Sequence, residues 1–543
     1  IGRSALATQN FTTATDSLNT AVGFNAGVNV TTGDQNNLIG GLAGDALTVG
    51  TKNNAFGYRA LSDDTKGSKS VAIGNFTLAT QNFTTATDSF NTAVGHGAGE
   101  SVTTGTQNTY IGGLAGDAAT ASVENVAVGY QALSADTLGS KNVAVGRMAL
   151  LSQNFSTATD THNTAVGHNA GQQVTTGTSN TLIGSGSGDA LTSGNSNVAV
   201  GHGALTTDTL GDRAVAIGLN ALAAQNFTTS FDNYNVGIGY TAGAAVTTGA
   251  RNTIVGGLAA DALTTGVDNV ALGYAALSSD DLGNYNVAIG SQALTSLNFA
   301  TATDSFNVAV GRDAGANLTT GTFNTLVGGQ AGDGLQDSDD NVAVGLNALT
   351  TDTLGSRSTA IGAAALANQN FTTATNSHNV AVGYFAGVSV TTGLQNTLIG
   401  GLAGDSLTDA DFNVAIGTSA LGTDTLGSRS VAIGISALAT QNHTTATDVY
   451  NTCVGAIAGT SITDAVRNTI IGGLAGDALT SADFNTAVGY GALSSDTLGE
   501  RSVAVGYHAL LSQNRTTASQ SNNTAIGFEA GANVTTGDEN TFI

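Results

Sequence analysis

The sequence predicts an all-β chain wound as a parallel β-solenoid, and three observations carry that prediction. The segment Asn91-Thr-Ala-Val-Gly95 recurs at Asn19, Asn163, Asn235, Asn307, Asn379, Asn451 and Asn523, always 72 residues on, with no insertion or deletion. Within each 72 residues the anchors Asn91, Asn108, Asn125 and Asn142 stand 17 apart, and the next, Asn163, follows after 21. The chain of 543 residues has no Pro, where ordinary usage gives about 27. Fixed-period repeats stack so that each buries its face only against its neighbours. A strand paired above and below needs every N–H, which Pro lacks.

The coil begins at its anchor. From Asn19 to Asn540 there are 30 anchors, 25 of them Asn; the exceptions Ser70, Ala214, Ser358, Ser430 and Ser502 all fall in the fourth coil of a repeat. Asn stacked on Asn suits a rung-to-rung amide ladder, although Asn also favours turns in its own right. In Asn125-Val-Ala-Val-Gly129, Val126 and Val128 share one face of an extended segment, and Asn125 and Ala127 the other. This reads as a short strand with one side in a thin core, the Val128 position being bulky and apolar in every coil.

A corner follows the strand. Four residues past the anchor stands a Gly in all 29 coils that reach that far, as at Gly23, Gly40, Gly57, Gly74, Gly95, Gly112, Gly129 and Gly146. A side chain is forbidden there by positive φ or by close backbone approach, so Gly256→Val is expected to break stacking locally. Three residues on comes Ala, replaced only by Thr77 and Ser187. A second short extended piece then runs to a turn such as Thr103-Thr104-Gly105 or Thr137-Leu138-Gly139. No ordinary helix fits between such corners.

Side-chain sizes alternate. The second coil carries a large residue two after its anchor (Leu38, Tyr110, Leu182, Ile254) where other coils have Ala, with a small one just past the corner (Gly41, Gly113, Ser185, Gly257). Large against small keeps a seam at native density. After the corner Ala the four coils read Gly99, Gly116, Leu133 and Leu150. The Ala face is therefore expected to pack closely against something, another chain being the expected partner of so thin a core. The whole of 1–543 reads as one continuous array of about seven and a half repeats, a piece of a longer fibre.

Composition narrows function. Charged residues are 10 %, acids outnumber bases 39 to 15, and the formal charge is −24. A nucleic-acid binder needs a basic face, so that partner is not expected. No apolar run of about 18 residues exists to span a membrane as a helix. The seven His share no phase; His96, His168 and His202 follow a corner, while His162 and His378 precede an anchor. Copies one repeat apart lie four rungs, roughly 19 Å, from each other at ~4.8 Å per rung, too far to share a metal. There is no CxxC, and Cys453 replaces an Ala. No cofactor, metal site or catalytic residue is expected, and the chain is not expected to be an enzyme. A polysaccharide-cleaving solenoid needs one carboxylate pair in a concave site, whereas every carboxylate here is copied along the array. An ice-binding face needs Thr-x-Thr on successive rungs, but Thr-Thr-Ala-Thr recurs once in four.

Two acidic series do keep phase: Asp45, Asp117, Asp189, Asp261, Asp333, Asp405 and Asp477, and Asp64, Asp136, Asp208, Asp280, Asp352, Asp424 and Asp496. Oxygens on adjacent rungs suit Ca²⁺, but the GGxGxD nonapeptide pattern is missing and Asp commonly serves local turns. Calcium stays open as the one ion these positions suit.

The fourth coil has four extra residues, within Gln81-Asn-Phe-Thr-Thr-Ala-Thr-Asp-Ser-Phe90, and a longer rung in a fixed stack must bulge. The bulge carries Asn-x-Ser/Thr at Asn10, Asn82, Asn154, Asn226, Asn370, Asn442 and Asn514, lost only where Ala300 replaces the hydroxyl residue. The x position holds Phe in five of the seven, then His443 and Arg515, which reads as relaxed identity. Three readings stay open: a glycan acceptor, side chains bonding the bulge's own backbone, and a ligand-contacting ridge.

Ser70-Val-Ala-Ile-Gly74 and Ser430-Val-Ala-Ile-Gly434, with Ala437 seven after the Ser, resemble the head repeat of trimeric autotransporter adhesins of the YadA-like type. Similar Asn-Thr-Ala-Val-Gly-x-x-Ala repeats occur in phage tail-fibre-like proteins. The resemblance covers the whole chain, although the coils here are longer than is typical of that family. It implies a left-handed β-roll, three chains about one axis, and a role as an extracellular fibre or adhesin shaft at a cell surface or on a virion. The expected partners are two further copies or an end-to-end filament neighbour, and a surface glycan or protein receptor. Thirty rungs at ~4.8 Å predict roughly 140 Å of stack.

Overall fold

Short parallel strands frame the chain in the computed structural model, which describes residues 1–543. The fold is all-β without a helix, a parallel β-solenoid in which each coil contributes one strand to the sheet of its own body. It divides into two compact bodies, Ile1–Asn269 and Val270–Ile543. In the first, Thr20–Val22, Asn37–Ile39, Asn54–Phe56 and Val71–Ile73 pair in chain order, and the series continues to Thr253–Val255. In the second it runs from Val270–Leu272 to Thr541–Phe542. Like positions pair throughout: Ala21 with Leu38, Leu38 with Ala55, Ala55 with Ala72. The longer fourth coil keeps the register, Ala72 pairing with Ala93, so its extra residues are absorbed outside the sheet.

The anchor Asn does two things. Its Oδ1 accepts the backbone N–H of the next anchor, as from Asn36 to Asn19 (2.8 Å) and from Asn53 to Asn36 (3.0 Å). Its Nδ2 donates to the turn carbonyl that closes its own coil, as from Asn36 to Gly50 (2.9 Å) and from Asn53 to Gly67 (2.9 Å). The Asn36 and Asn53 amides are fully buried, where an unmade hydrogen bond costs about 1–3 kcal/mol. A serine anchor still donates its backbone N–H, Ser70 to Asn53 Oδ1 at 2.9 Å.

At the corner both reasons for Gly coincide. Gly40 has φ 139°, and a Cβ there would lie 2.3 Å from the Gly57 carbonyl oxygen of the next rung. The other corners from Gly23 to Gly146 have φ between 132° and 147° and meet the next corner in the same way.

Beyond the corner the chain departs from expectation. Instead of a second extended piece it makes a turn in which alternate residues are left-handed: Asn25 at φ 53°, Leu42 at 59°, Arg59 at 55°, and then Leu61 at 56° and Leu78 at 47°. Such conformations cost L-residues roughly 1–2 kcal/mol each. Rung-to-rung backbone bonds hold them, including Leu42 N to Phe24 O (2.8 Å), Gly44 N to Ala60 O (2.9 Å) and Thr48 N to Thr65 O (2.9 Å). The ladder therefore extends well past the strands.

Two further expectations need correction. The Ala face packs inside the coil and not against another chain: Ala26, Ala43, Ala55 and Ala60 are fully buried within the single chain. The half-exposed side of each strand is the bulky one, Val126 and Val128 flanking buried Ala127. The space for Leu38 is also made elsewhere than at Gly41. A Cβ on Gly27 would lie 2.6 Å from Leu38 Cδ1, and one on Gly44 2.9 Å from Cδ2, whereas one on Gly41 would only touch the Tyr58 ring at 3.6 Å. The glycines after the corner Ala are thus the small partners of the large second-coil residue. Where they are absent, Leu61 and Leu78 fill the interior themselves.

Candidate functional site: the fourth-coil bulge and the polar cluster beneath it

The bulge begins from inside. At the same place in successive coils, the first two set Val30 and Leu47 in the core, but the third and fourth set Asp64 and Gln81 there, both fully buried. A buried carboxylate must be paired or richly hydrogen-bonded. Asp64 Oδ2 accepts from Gln81 Nε2 (2.6 Å), and Oδ1 from the backbone N–H of Gly67 (2.9 Å) and Phe83 (3.3 Å). Gln81 Nε2 also donates to Ser70 Oγ (2.9 Å), and its Oε1 accepts from Asn91 Nδ2 (2.9 Å). The third-coil turn glycine exists for this carboxylate, since a Cβ on Gly67 would lie 2.0 Å from Asp64 Oδ2.

The cluster recurs as Asp136–Gln153, Asp208–Gln225, Asp352–Gln369, Asp424–Gln441 and Asp496–Gln513. Burial pushes Asp64 and Asp352 above the ordinary carboxylate value, and the Gln and backbone bonds pull the other way. One repeat is different. Leu297 replaces the Gln, and burial pushes Asp280 up to about 6. The bond left to its Oδ2 is a long one from Asn286 Nδ2 (3.4 Å).

From Gln81 the chain turns outward. Phe83 tucks under the bulge at 5 % exposure, and Phe155, Phe227, Phe299, Phe371 and His443 are buried likewise. The middle position of the sequon is therefore a packing position, preferentially aromatic, and not one of relaxed identity. Asn82 is exposed, and Thr65 of the previous coil donates its hydroxyl toward Asn82 Oδ1 (2.9 Å) and the Phe83 carbonyl (2.9 Å). Thr84, Thr85 and Ala86 form the exposed tip. The chain returns through Thr87–Asp88, paired in parallel with Gly67–Ser68. Ser89 Oγ then bonds Ser68 O (3.0 Å) and Ser70 Oγ (2.6 Å). On the surface Lys69 pairs with Asp88 at 2.6 Å, repeated as Lys141–Asp160 and Arg213–Asp232; exposed pairs of this kind contribute about 0–1 kcal/mol.

The other sequence-derived positions lie apart from the bulge. In the Asp45 series, Ser134 donates to Asp117 Oδ1 (2.5 Å) and Thr206 to Asp189 Oδ1 (2.6 Å), each from the next rung. Partial burial raises the pKa of Asp45, Asp261, Asp333, Asp405 and Asp477. The Asp64 series sits among N–H donors, surroundings that suit an anion and not a cation. No three His, Cys, Asp or Glu residues come together, and no pocket indents the surface. Cys453 is buried, and burial raises its thiol pKa. No helix is long and apolar enough to cross a membrane. The sequence reading found the acidic series but missed the Gln; the signal was available, because Gln81, Gln153, Gln225, Gln369, Gln441 and Gln513 keep phase with the acids. No protein-family model and no curated protein matches the chain.

Proposed function

We propose that the chain is a shaft segment of an extracellular fibre or adhesin, in which repetition supplies extension and resistance to unfolding. The observation that supports this most directly is the unbroken register of each body, where coil after coil repeats the same strand pairs and Gly corner, with the Asn ladder interrupted only at fourth-coil anchors. Nothing in such a coil concentrates chemistry at one place. The shaft of a phage tail fibre is the alternative setting for the same architecture.

The reading includes association of three copies. Along each sheet the outward side carries Val, Ile, Leu or Phe three residues past every anchor, about two-fifths exposed at Ile73, Ile183, Leu272 and Ile471. An apolar strip that persists rung after rung exceeds what soluble monomers usually leave open. The resemblance to trimeric head repeats supplies the number three. Native mass of the purified chain is the test: three times 53.5 kDa supports the reading, and a monomer at micromolar concentration contradicts it. Lysine at Ile183 and Ile471 is expected to shift the trimer toward monomer without unfolding the coil, because both side chains point away from its core.

A further inference from the structure

We propose that the tip of the fourth-coil bulge is an N-glycosylation site, with Asn82, Asn154, Asn442 and Asn514 as the most open acceptors of the complete fourth coils. The proposal rests on the exposure of the bulge and is independent of the shaft reading. The sequon has three positions, and the fold accounts for two of them. The Asn continues the Thr31–Thr48–Thr65 column, its Oδ1 facing a threonine hydroxyl in each sequon from Asn82 on: Thr65, Thr137, Thr425 and Thr497 for the four named, at 2.9–3.2 Å. The middle residue packs beneath the loop. The third is different. Thr84, Ser156, Thr228, Thr372, Thr444 and Thr516 are all exposed, and their hydroxyls make no hydrogen bond within the chain. Packing, capping and backbone bonding therefore leave this hydroxyl unexplained, yet all the complete fourth coils but the one with Ala300 keep it.

A hydroxyl two residues after an exposed Asn is what an asparagine glycosyltransferase reads. The Asn Nδ2 makes no bond within the chain, so the acceptor nitrogen is available. Transfer forms the bond from Nδ2 to the anomeric carbon of a sugar and breaks that carbon's bond to the oxygen of a diphosphate. The diphosphate leaves with the electron pair, and one amide proton passes to the transferase. The co-reactant is a glycosyl diphosphate, carried on a nucleoside or on a polyprenyl chain. Successive acceptors lie four rungs, roughly 19 Å, apart at ~4.8 Å per rung, which leaves room for a glycan on each. Asn226 and Asn370 are less open and are expected to carry less.

Glycopeptide mass analysis of the chain from its native host is the test. Sugar on Asn82, Asn154, Asn442 and Asn514, with none on Asn298 (whose repeat has Ala300), supports the proposal. Single-hexose increments identify the nucleoside-linked donor, and one fixed oligosaccharide the polyprenyl-linked one. Ala300→Thr is expected to bring sugar onto Asn298. Thr84→Ala is expected to remove it from Asn82 while leaving amide exchange of the bulge unchanged. Bare asparagines in native material overturn the proposal. So does sugar on unaltered Asn298, because the hydroxyl is then not what is read. A Thr84→Ala chain whose bulge loses exchange protection overturns it as well, by giving the hydroxyl a role in the fold.

Discussion

A Gly112→Val chain is expected to lose the stack locally on both sides of residue 112. Gly112 has φ 135°, and a Cβ there would stand 2.4 Å from the Gly129 carbonyl oxygen, with backbone and not a flexible side chain as the obstacle. Strain at such a φ costs about 1–3 kcal/mol, and forcing extra volume into a packed contact about 1–3 more. Relieving the clash moves the Gly112 backbone, whose N–H donates to the Val94 carbonyl (2.8 Å). Native-state amide exchange reads the result. Protection is expected to fall across the strands Thr92–Val94, Thr109–Ile111 and Val126–Val128, while coils several rungs away keep theirs, as nearest-neighbour stacking requires. Unchanged protection in those three strands contradicts the corner geometry, at Gly256 (φ 141°) as much as at Gly112.

The second large effect lies inside the coil. Gln369→Leu reproduces at Asp352 the arrangement that Leu297 imposes on Asp280. It removes the Gln369 Nε2 bond to Asp352 Oδ2 (2.6 Å) and the Oε1 acceptor of Asn379 Nδ2 (2.9 Å). A hydrogen bond to a charged group contributes about 1.5–3 kcal/mol, so a loss of that order is expected at pH 7. The pH dependence follows from the sign of the shift. Asp280 titrates near 6 in the folded chain, above the roughly 3.9 of an unfolded one. The folded state therefore binds its proton more tightly, and the stability so gained is complete below about pH 4 and lost as pH rises through 6. Acidification from pH 7 to 4.5 is expected to strengthen the coils around Asp280 and those of the Gln369→Leu chain. Leu297→Gln is expected to flatten this dependence and stabilise the neutral chain, since Asn142 and Gln153 already coexist at the matching positions beside Asp136. Urea unfolding at the two pH values checks all three. A Gln369→Leu midpoint equal to the parent's at pH 7 contradicts the role given to the amide.

The sequence disclosed most where the physics is local and periodic. A Gly at a constant distance past Asn, with no side chain tolerated, needs nothing beyond a count of spacings, and the Asn ladder follows from the same count. What it concealed concerns direction. In Val126-Ala127-Val128 hydropathy points the valines inward, but so short a coil has too little interior for two rows of them, and Ala fits. The turn after the corner was hidden for a related reason: Leu61 and Leu78 give no propensity signal for left-handed backbone, which rung-to-rung bonds impose. At the bulge the phase of Asp64 was visible, but its burial was not. An acid on a repeat reads as surface until the Gln facing it, one full coil further along the chain, is placed on the next rung.

Each sequence repeat adds four stacked rungs to its body, the bulge lying outside the sheet. Small-angle scattering on chains lacking one and two whole repeats, beginning with removal of residues 308–379, measures that increment. The second body, Val270–Ile543, is expected to stay folded and its stack to shorten by roughly 19 Å per repeat removed, four rungs at ~4.8 Å, with the cross-section of the coil unchanged. Unfolding of that body, or a coil cross-section that changes with each deletion, contradicts it.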